Sequence, residues 1–279
     1  MKGLHEFEPI LKIARYTFSD DARQKSFIAM FILCGLIVFL FRGCFQGSYV
    51  VNGRVLESTI IVRAVSQLFF QAITAGTMFL TALISMRVLR RDSDYGTQSY
   101  ILSKPISRRQ YIFGKVSGLW LLAIVFMFIL HTILLVTASV DLKTFVAEFF
   151  TASLLCVFNL LFIVVSVLFL SLILPDVLAF ICVTGIALVS FVGEWIYSFT
   201  HSQFGQAAER TDIGTGVSLW DILYYFWPKL GAAQHSASLL VGTDGFRQIG
   251  SLYPFANVIL YCIVFGVLLL WRFGKKEIT

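Results

Sequence analysis

Six apolar runs, each long enough to cross a lipid bilayer, constrain the fold of this chain more than any other feature. They cover residues 26–43, 64–86, 116–138, 146–174, 177–199 and 253–272. A helix of about 20 apolar residues spans the hydrocarbon core, where the backbone must satisfy its own hydrogen bonds. Composition agrees, because 58% of the residues are hydrophobic and 14% are charged, against about 25% charged in soluble domains. We therefore predict an all-α integral membrane protein with six transmembrane helices, forming one transmembrane domain over residues 1–279 within a lipid bilayer.

The fourth and fifth runs are separated only by Pro175 and Asp176. One continuous helix over both runs would be about 80 Å long at 1.5 Å per residue, far longer than a bilayer is thick. Proline removes a backbone donor and disfavours helix at the residue before it. We therefore predict a tight hairpin turn here.

Basic residues are distributed unevenly between the two sets of loops. With the N-terminus inside, the cytoplasmic segments 1–25, 87–115 and 272–279 carry 15 Lys and Arg, and the opposite side carries 7. The positive-inside rule then places both termini in the cytoplasm. Because the positive charge follows the topology, the net charge of +6 does not indicate a nucleic-acid partner.

Residues 1–25 have the pattern of an amphipathic helix. Apolar residues fall at i, i+3, i+4, i+7 and i+11, forming one stripe: Phe7, Ile10, Leu11, Ala14 and Phe18. Lys12, Arg15 and Arg23 fall on the opposite side. We interpret the segment as a cytoplasmic interfacial helix beside a partner-binding surface; a basic leader that only sets the topology is the alternative.

A basic segment of about thirty residues, 87–115, lies between the second and third runs and holds seven of the 22 Lys and Arg. Each charge would cost roughly 2.5–3.5 kcal/mol in lipid, so we predict a cytoplasmic loop. Ser107 and Gln110 have the capping-box spacing that begins a helix, and Pro105 ends what precedes it. These signals predict a short helix from about Asp94 to Ser103, then a turn and the helix of the third span.

The sides of this short helix carry both charge and apolar surface. Asp92 and Asp94 would lie at its positive end, and Tyr95, Tyr100 and Ile101 would give it contact surface. An ordinary solvated loop is the alternative interpretation.

Three short motifs in this region resemble the signature of ABC-2-type transporter permeases. They are Asp92-x-Asp94-x-Gly96-Thr97, the run Leu102-Ser103-Lys104-Pro105-Ile106-Ser107-Arg108, and Gly114-Lys115. The family typically has Glu at both acidic positions, so the shorter Asp side chains are a departure. The six-span plan, the N-terminal helix and the long loop before the last span extend the resemblance over most of the chain.

The resemblance implies the membrane subunit of an ATP-driven exporter in the inner membrane of a prokaryote. Two permease copies, most simply a homodimer, would bind cytoplasmic ABC ATPase subunits through a coupling helix between spans two and three. The docking residues carried over are Asp92, Asp94, Tyr95, Gly96, Thr97, Tyr100 and Arg108. The chain has no G-x-x-x-x-G-K-[ST] motif, so we expect no ATPase activity and no cofactor in it, with ATP and Mg²⁺ bound by the partner.

The long outer segment 200–252 begins polar and becomes aromatic at Ser218. The stretch to Pro228 is too apolar for a solvated helix and too short to span. We interpret it as a re-entrant helix before span six, which the resemblance makes the outer gate; a plain interfacial anchor is the alternative. The gate residues would be Trp220, Phe226, Trp227 and Pro228.

Polar residues inside the spans are candidates for a translocation path. They are Gln67, Gln71, His131, Asn159 and Glu194, with Asn257 in the last span. Gln67 and Gln71 are i, i+4 neighbours that would equally serve as interhelical contacts, and a lone His among apolar residues is more often packing than a ligand. No pair has metal-ligand spacing, so no metal site is predicted.

Two other function classes compete with the exporter. An ATP-independent secondary transporter or channel would show inverted repeats and deep charged groups, which the sequence does not display. An intramembrane enzyme would need clustered His, Glu or Asp in the bilayer, and none cluster. The cargo stays open.

Overall fold

The computed structural model describes residues 2–40, 50–51, 54–55, 58–104, 106–142, 148–200, 224–242 and 252–275. A two-stranded antiparallel hairpin pairs β1 (Val50–Val51) with β2 (Arg54–Val55). The other regular elements within these ranges are helices: α1 (Lys2–Ala22), α2 (Lys25–Leu40), α3 (Ser58–Ser85), α4 (Val88–Asp94), α5 (Thr97–Leu102), α6 (Arg108–Leu142), α7 (Glu148–Ser171), α8 (Asp176–Thr200), α9 (Leu230–Gly242) and α10 (Tyr253–Lys275).

Five stretches of helix in the described part of the chain are long and apolar enough to cross a membrane. They are Val62–Asp94, Arg108–Val140, Glu148–Ser171, Asp176–Ser198 and Tyr253–Lys275. They coincide with the second to sixth predicted runs, and the break between α7 and α8 falls at the predicted Pro175–Asp176 turn. The first run corresponds to α2, of 16 residues, and residues 41–43 of that run lie outside the described ranges.

α7 is the central helix of the bundle. It packs against α3, α6, α8, α9 and α10, and its buried residues include Phe149, Phe162 and Leu168. A helix that is apolar on every side is typical of the middle of a bundle. The main core forms where α7 meets α3, α6 and α9, and a smaller cluster at the end of the bundle where α6 begins surrounds Tyr111 and Phe273.

α1 packs along the first turns of α6 through two glycines four residues apart. A Cβ at Gly114 would lie 2.7 Å from the Ile13 side chain, and one at Gly118 would lie 2.7 Å from the backbone oxygen of Ala14. Only glycine lets the two backbones approach this closely, as in small-x-x-x-small helix pairs.

The face of α1 that is buried against α6 is formed by Ile13, Ala14 and Thr17, because the two glycines decide which face approaches α6. Phe7 and Leu11 of the predicted apolar stripe are about 70% exposed, as the lipid-facing side of an interfacial helix would be. The interfacial position of α1 stays a prediction.

A tight hairpin precedes α10. The chain enters through a helical turn at residues 224–226, turns at Pro228 and Lys229, and returns as α9. Two side chains of neighbouring helices hold the backbone of this turn. Ser190 Oγ of α8 donates to the Pro228 oxygen (2.8 Å), and the Lys229 N–H donates to Asn257 Oδ1 of α10 (3.0 Å). We predicted a helix before Pro228, of which the structure describes only the turn at residues 224–226. The longer helix α9 follows the proline and was not predicted.

Candidate functional site

The segment between α3 and α6 is folded into two short helices, not one. Val88 to Asp94 form α4, Thr97 to Leu102 form α5, and Gly96 joins them with φ of +67°. This left-handed conformation is easily adopted only by glycine. The predicted single helix from about 94 to 103 was wrong at its start, because Asp92 and Asp94 end α4 and do not lie at the positive end of α5.

The capping box at the start of α6 is confirmed. The Ser107 N–H donates to Gln110 Oε1 (2.9 Å), and the Gln110 N–H donates to Ser107 Oγ (3.2 Å). This reciprocal pair satisfies two amides that the first turn would leave free. Pro105 lies outside the described residues.

Asp92 is buried in a contact with α6. Its Oδ2 lies 2.6 Å from Lys115 Nζ, and the two side chains are 6% and 1% exposed. The Tyr111 hydroxyl donates to the same oxygen at 2.5 Å. The ammonium makes no hydrogen bond of good geometry within the described ranges, so the Lys115–Asp92 contact is mainly Coulombic. It fixes α4 against the first turns of α6.

Arg91, the neighbouring residue, fixes α4 to α1. Its guanidinium donates to Asp20 Oδ2 and to Asp21 Oδ1, both at 2.8 Å. Burial raises the pKa of the Asp21 carboxyl above its ordinary value of 3.8, although the Arg91 charge acts in the opposite direction. Asp20 is half exposed and Asp21 is buried, so this clamp extends from the surface into the core.

Two further cationic side chains connect the segment to other helices. Arg108 Nη1 donates to the Gly274 backbone oxygen near the end of α10 (3.0 Å), and Arg90 lies 3.7 Å from Asp176 at the start of α8. Arg90 belongs to α4 and Arg108 is the first residue of α6, so the segment itself contacts α1, α6 and α8, and the start of α6 contacts α10, all at one end of the bundle.

The outer face of the segment is exposed and aromatic. Tyr95 is 79% exposed and Tyr100 is 65% exposed, and Asp94 and Gly96 are exposed between them, with Thr97 half-buried. The Lys104 ammonium lies 4.7 Å from the centre of the Tyr100 ring. Of the predicted docking residues, Asp94, Tyr95, Gly96 and Tyr100 therefore share an accessible surface; Asp92 lies behind it, and Arg108 is half-buried beside α10.

A second site lies at the other end of the bundle, in a cavity of about 760 Å³ between α3, α8 and α9. Gln67 and Gln71 of α3 and Glu194 of α8 line it together. Gln71 Nε2 donates to Ser238 Oγ of α9 (2.7 Å), and Gln67 Nε2 lies 3.4 Å from the same oxygen. Three of the five predicted path residues are thus brought together.

The other intramembrane polar residues are bonded within the packing. His131 stacks on Phe70 and has Ser153 Oγ 2.8 Å from Nδ1. Asn159 Nδ2 donates to the Leu230 oxygen (3.2 Å), and Asn257 receives the Lys229 N–H. These contacts favour the packing interpretation over a place on the path.

The predicted gate residues that the structure describes lie in the hairpin before α9. Trp227 Nε1 donates to the Ile186 oxygen (3.1 Å), Phe226 is 70% exposed, and Pro228 is buried. The Tyr224 hydroxyl donates to Glu194 Oε2 (2.6 Å), which joins this hairpin to the cavity. Trp220 lies outside the described residues.

Sequence reasoning missed Arg91, Lys115 and Tyr111 as partners of the acidic residues. Tyr111 and Lys115 are i, i+4 neighbours on α6, so both face one side of that helix, and this spacing was the available signal. Gln234 of α9 was also missed, because α9 itself was not predicted.

The geometry defines a multi-pass helical membrane protein of which one end carries an ordered, exposed two-helix segment and the other end holds a polar cavity. A model of the ABC-2 family transporter proteins matches residues 11–278. The chain therefore belongs to the ABC-2 transporter family, as the motifs indicated, and is a membrane permease. Membership implies a partner ATPase and a bilayer. No curated protein matches the chain.

Proposed function

We propose that the chain is the membrane subunit of an ATP-driven ABC-2-type exporter, which acts as a homodimer and binds its ATPase subunits through α4 and α5. Both termini would lie in the cytoplasm of a prokaryotic cell, with the chain in the inner membrane. α2, extended by the residues that follow it, would supply the first of six spans. ATP and Mg²⁺ would be bound by the partner, and no nucleic acid is involved.

One observation supports this proposal: an exposed aromatic surface lies on the same segment that ion pairs to buried aspartates hold in place. Tyr95 and Tyr100 face outward, and residues Arg91 and Asp92 of the same segment hold α1 and α6. Exposed tyrosines beside polar groups are typical of protein interfaces. A solvated loop has no need of buried ion pairs that fix its position.

The same contacts suggest how a movement of the ATPase would reach the membrane. A shift of α5 would move α4 through Gly96, and α4 cannot move without α6, because separating Asp92 from Lys115 would leave two buried charges unpaired. α1 would follow through Arg91. The docked segment and the helices α1, α6 and α10 would thus move as one unit.

The opposite end supplies a path and a gate in this account. The cavity lined by Gln67, Gln71 and Glu194 would be part of the path, and the hairpin around Pro228 would be a re-entrant element that closes it on the outside. Backbone that is not continuous helix is tolerated at membrane depth where protein buries it or a cavity adjoins it, and both hold here. His131 and Asn159 would support the packing around the path.

The test is co-purification of the tagged chain from its native membranes in mild detergent. An ABC ATPase subunit, identified by mass and by ATP hydrolysis, should accompany the wild-type chain. The double change Tyr95→Ala and Tyr100→Ala should remove it while the permease keeps its elution volume and melting temperature. Both side chains are exposed, so their loss should leave the fold intact.

Tyr225→Ala is the matched control, because Tyr225 is 61% exposed at the other end of the bundle. This variant should retain the ATPase. A wild-type chain that purifies without any ATPase and still moves solute in liposomes would instead identify an ATP-independent transporter or channel and contradict the proposal.

A further inference from the structure

The cavity between α3, α8 and α9 presents hydrogen-bond acceptors in excess. The amide nitrogens of Gln67 and Gln71 are directed to Ser238, and Gln234 Nε2 donates to the Gln71 backbone oxygen (2.6 Å). These bonds use the amide nitrogens, so the side-chain oxygens of Gln67, Gln71 and Gln234 take no part in them. An amide oxygen accepts up to two hydrogen bonds, so a bound molecule would meet acceptors on two sides of the cavity.

Gln234 shows the excess most directly. The residue is 2% exposed, and its Oε1 has no hydrogen-bond partner in the described part of the chain. A buried acceptor without a partner costs roughly 1–3 kcal/mol, and such an atom in a native structure calls for an explanation. Gln234 lines the cavity, but Oε1 itself is closed to solvent, so a donor held there would reach this oxygen only after the Gln234 amide rotates, and the bond would then remove the cost.

Glu194 adds a negative charge to the same lining. Its Oε2 receives the Tyr224 hydroxyl, and the Lys229 ammonium nearby lies over the Tyr224 ring. Within the described ranges no Lys, Arg or His nitrogen comes within 4 Å of the Glu194 carboxylate. The Lys229 charge acts on this carboxylate from a longer distance, so a cation in the cavity would share Glu194 with Lys229 and take its second oxygen.

The remaining lining is apolar and aromatic. Leu68 and Phe191 contribute apolar surface, and Trp195, 77% exposed, contributes an indole beside Glu194. An indole face attracts cations, and the volume of about 760 Å³ lies in the range of small-molecule sites. His235 completes the polar lining with a group that can accept or donate.

We propose that this cavity binds an amphipathic molecule that carries a protonated amine, with its N–H groups on Glu194 and the glutamine oxygens and its apolar body against Leu68, Phe191 and Trp195. Charge complementarity decides for this class, because anionic cargo would meet a carboxylate and unpaired acceptors. The inference rests on the proposed function, since it assigns a cargo class to the proposed path.

The test uses the full-length chain in nanodiscs of zwitterionic lipid and two fluorescent probes. Ethidium is a cationic amphiphile with amino groups, and 8-anilinonaphthalene-1-sulfonate is an anionic one; empty nanodiscs correct for partitioning into lipid. Ethidium should bind the wild-type chain, and Glu194→Gln should weaken it about tenfold, the size of one charge-assisted hydrogen bond. The change keeps shape and the bond from Tyr224.

Matched variants separate the site from general effects. Glu148→Gln, at the start of α7, should leave ethidium binding unchanged. Trp195→Ala should weaken it severalfold without affecting the fold, because the side chain is exposed, whereas Trp271→Ala, exposed on α10, should not. The anionic probe should be insensitive to all four changes.

Two results would overturn the inference. The first is an ethidium affinity of Glu194→Gln within twofold of the wild-type value. The second is ethidium binding to monomeric but not to dimeric wild-type protein, because a second copy of the chain would then fill the cavity. Both readouts are independent of the ATPase. A chain that couples to an ATPase yet fails here loses only the cargo class, and one that passes here without any ATPase loses only the proposed motor.

Discussion

Removing the carboxylate of Asp92 should destabilise the protein far more than removing an exposed charge. Asp92→Ala removes the anion in contact with the Lys115 ammonium, which is 1% exposed, and leaves only the more distant charge of Asp21. It also removes the acceptor of the Tyr111 hydroxyl. A buried charge that has lost its partner must either find water or release its proton, and both distort the packing between α4 and α6.

The magnitude follows from the distance. At 2.6 Å and an effective dielectric constant of about 20, the gross attraction is about 6 kcal/mol, most of which offsets the desolvation of the two ions. Loss of one partner therefore costs about 3–5 kcal/mol, whereas replacing both by apolar residues of similar size is about neutral. The double variant Asp92→Leu with Lys115→Met should accordingly recover the part of the loss that comes from the unpaired charge, while the buried Tyr111 hydroxyl stays without its acceptor at a cost of roughly 1–3 kcal/mol.

The assay is thermal unfolding in mild detergent, followed by tryptophan fluorescence and by the folded fraction after heating. Lys12→Ala is the control, since its pair with Glu8 is also close (2.7 Å) but 74% and 56% exposed and should contribute less than about 1 kcal/mol. Equal melting temperatures for Asp92→Ala and Lys12→Ala, or a double variant no better than Asp92→Ala, would show that the buried ion pair contributes no more to stability than an exposed one.

Three further predictions concern α1 and the turn at Gly96. Gly118→Leu should cost about 1–3 kcal/mol by forcing α1 away from α6, whereas Gly185→Ala, with open space around its Cβ position, should not destabilise; unchanged melting of Gly118→Leu would contradict the packing. Gly96→Ala should cost about 1–2 kcal/mol because Gly96 has a positive φ, and Gly96→Asn should cost less. Equal melting temperatures of Gly96→Ala and wild type would count against the left-handed turn. Burial raises the pKa of Asp21 in the folded state, so the Asp21 carboxyl opposes folding less and less as the pH falls towards its unfolded value of 3.8. The melting temperature of wild type minus that of Asp21→Asn should therefore rise from pH 7 to pH 4. A decrease of this difference would show that the pKa of Asp21 is lowered, not raised, on folding.

The long helices were predictable because each depends on composition over about twenty residues. The runs at 116–138 and 177–199 fall within α6 and α8, and local signals at Pro175 and Ser107 located helix ends. Such features are properties of neighbouring residues, which a sequence displays directly.

What the sequence did not reveal depends on contacts between distant segments. Nothing near Asp92 shows that Lys115 will neutralise it, and nothing in α1 shows that Gly118 will select its buried face. α9 escaped prediction because its 13 residues are too few to span and its small residues acquire meaning only against α7 and α8. Gln67 and Glu194 line the same cavity only because α3, α8 and α9 pack together, which the sequence does not show.

The most direct test of the central claim is amide hydrogen exchange of the purified permease with and without its ATPase. We expect slower exchange in residues 88–103 of the complex, strongest from Gly96 to Ser103, and no change in the hairpin around Pro228 without nucleotide. Unchanged exchange in 88–103, with protection elsewhere, would show that the ATPase binds another surface and that α4 and α5 are not its docking site.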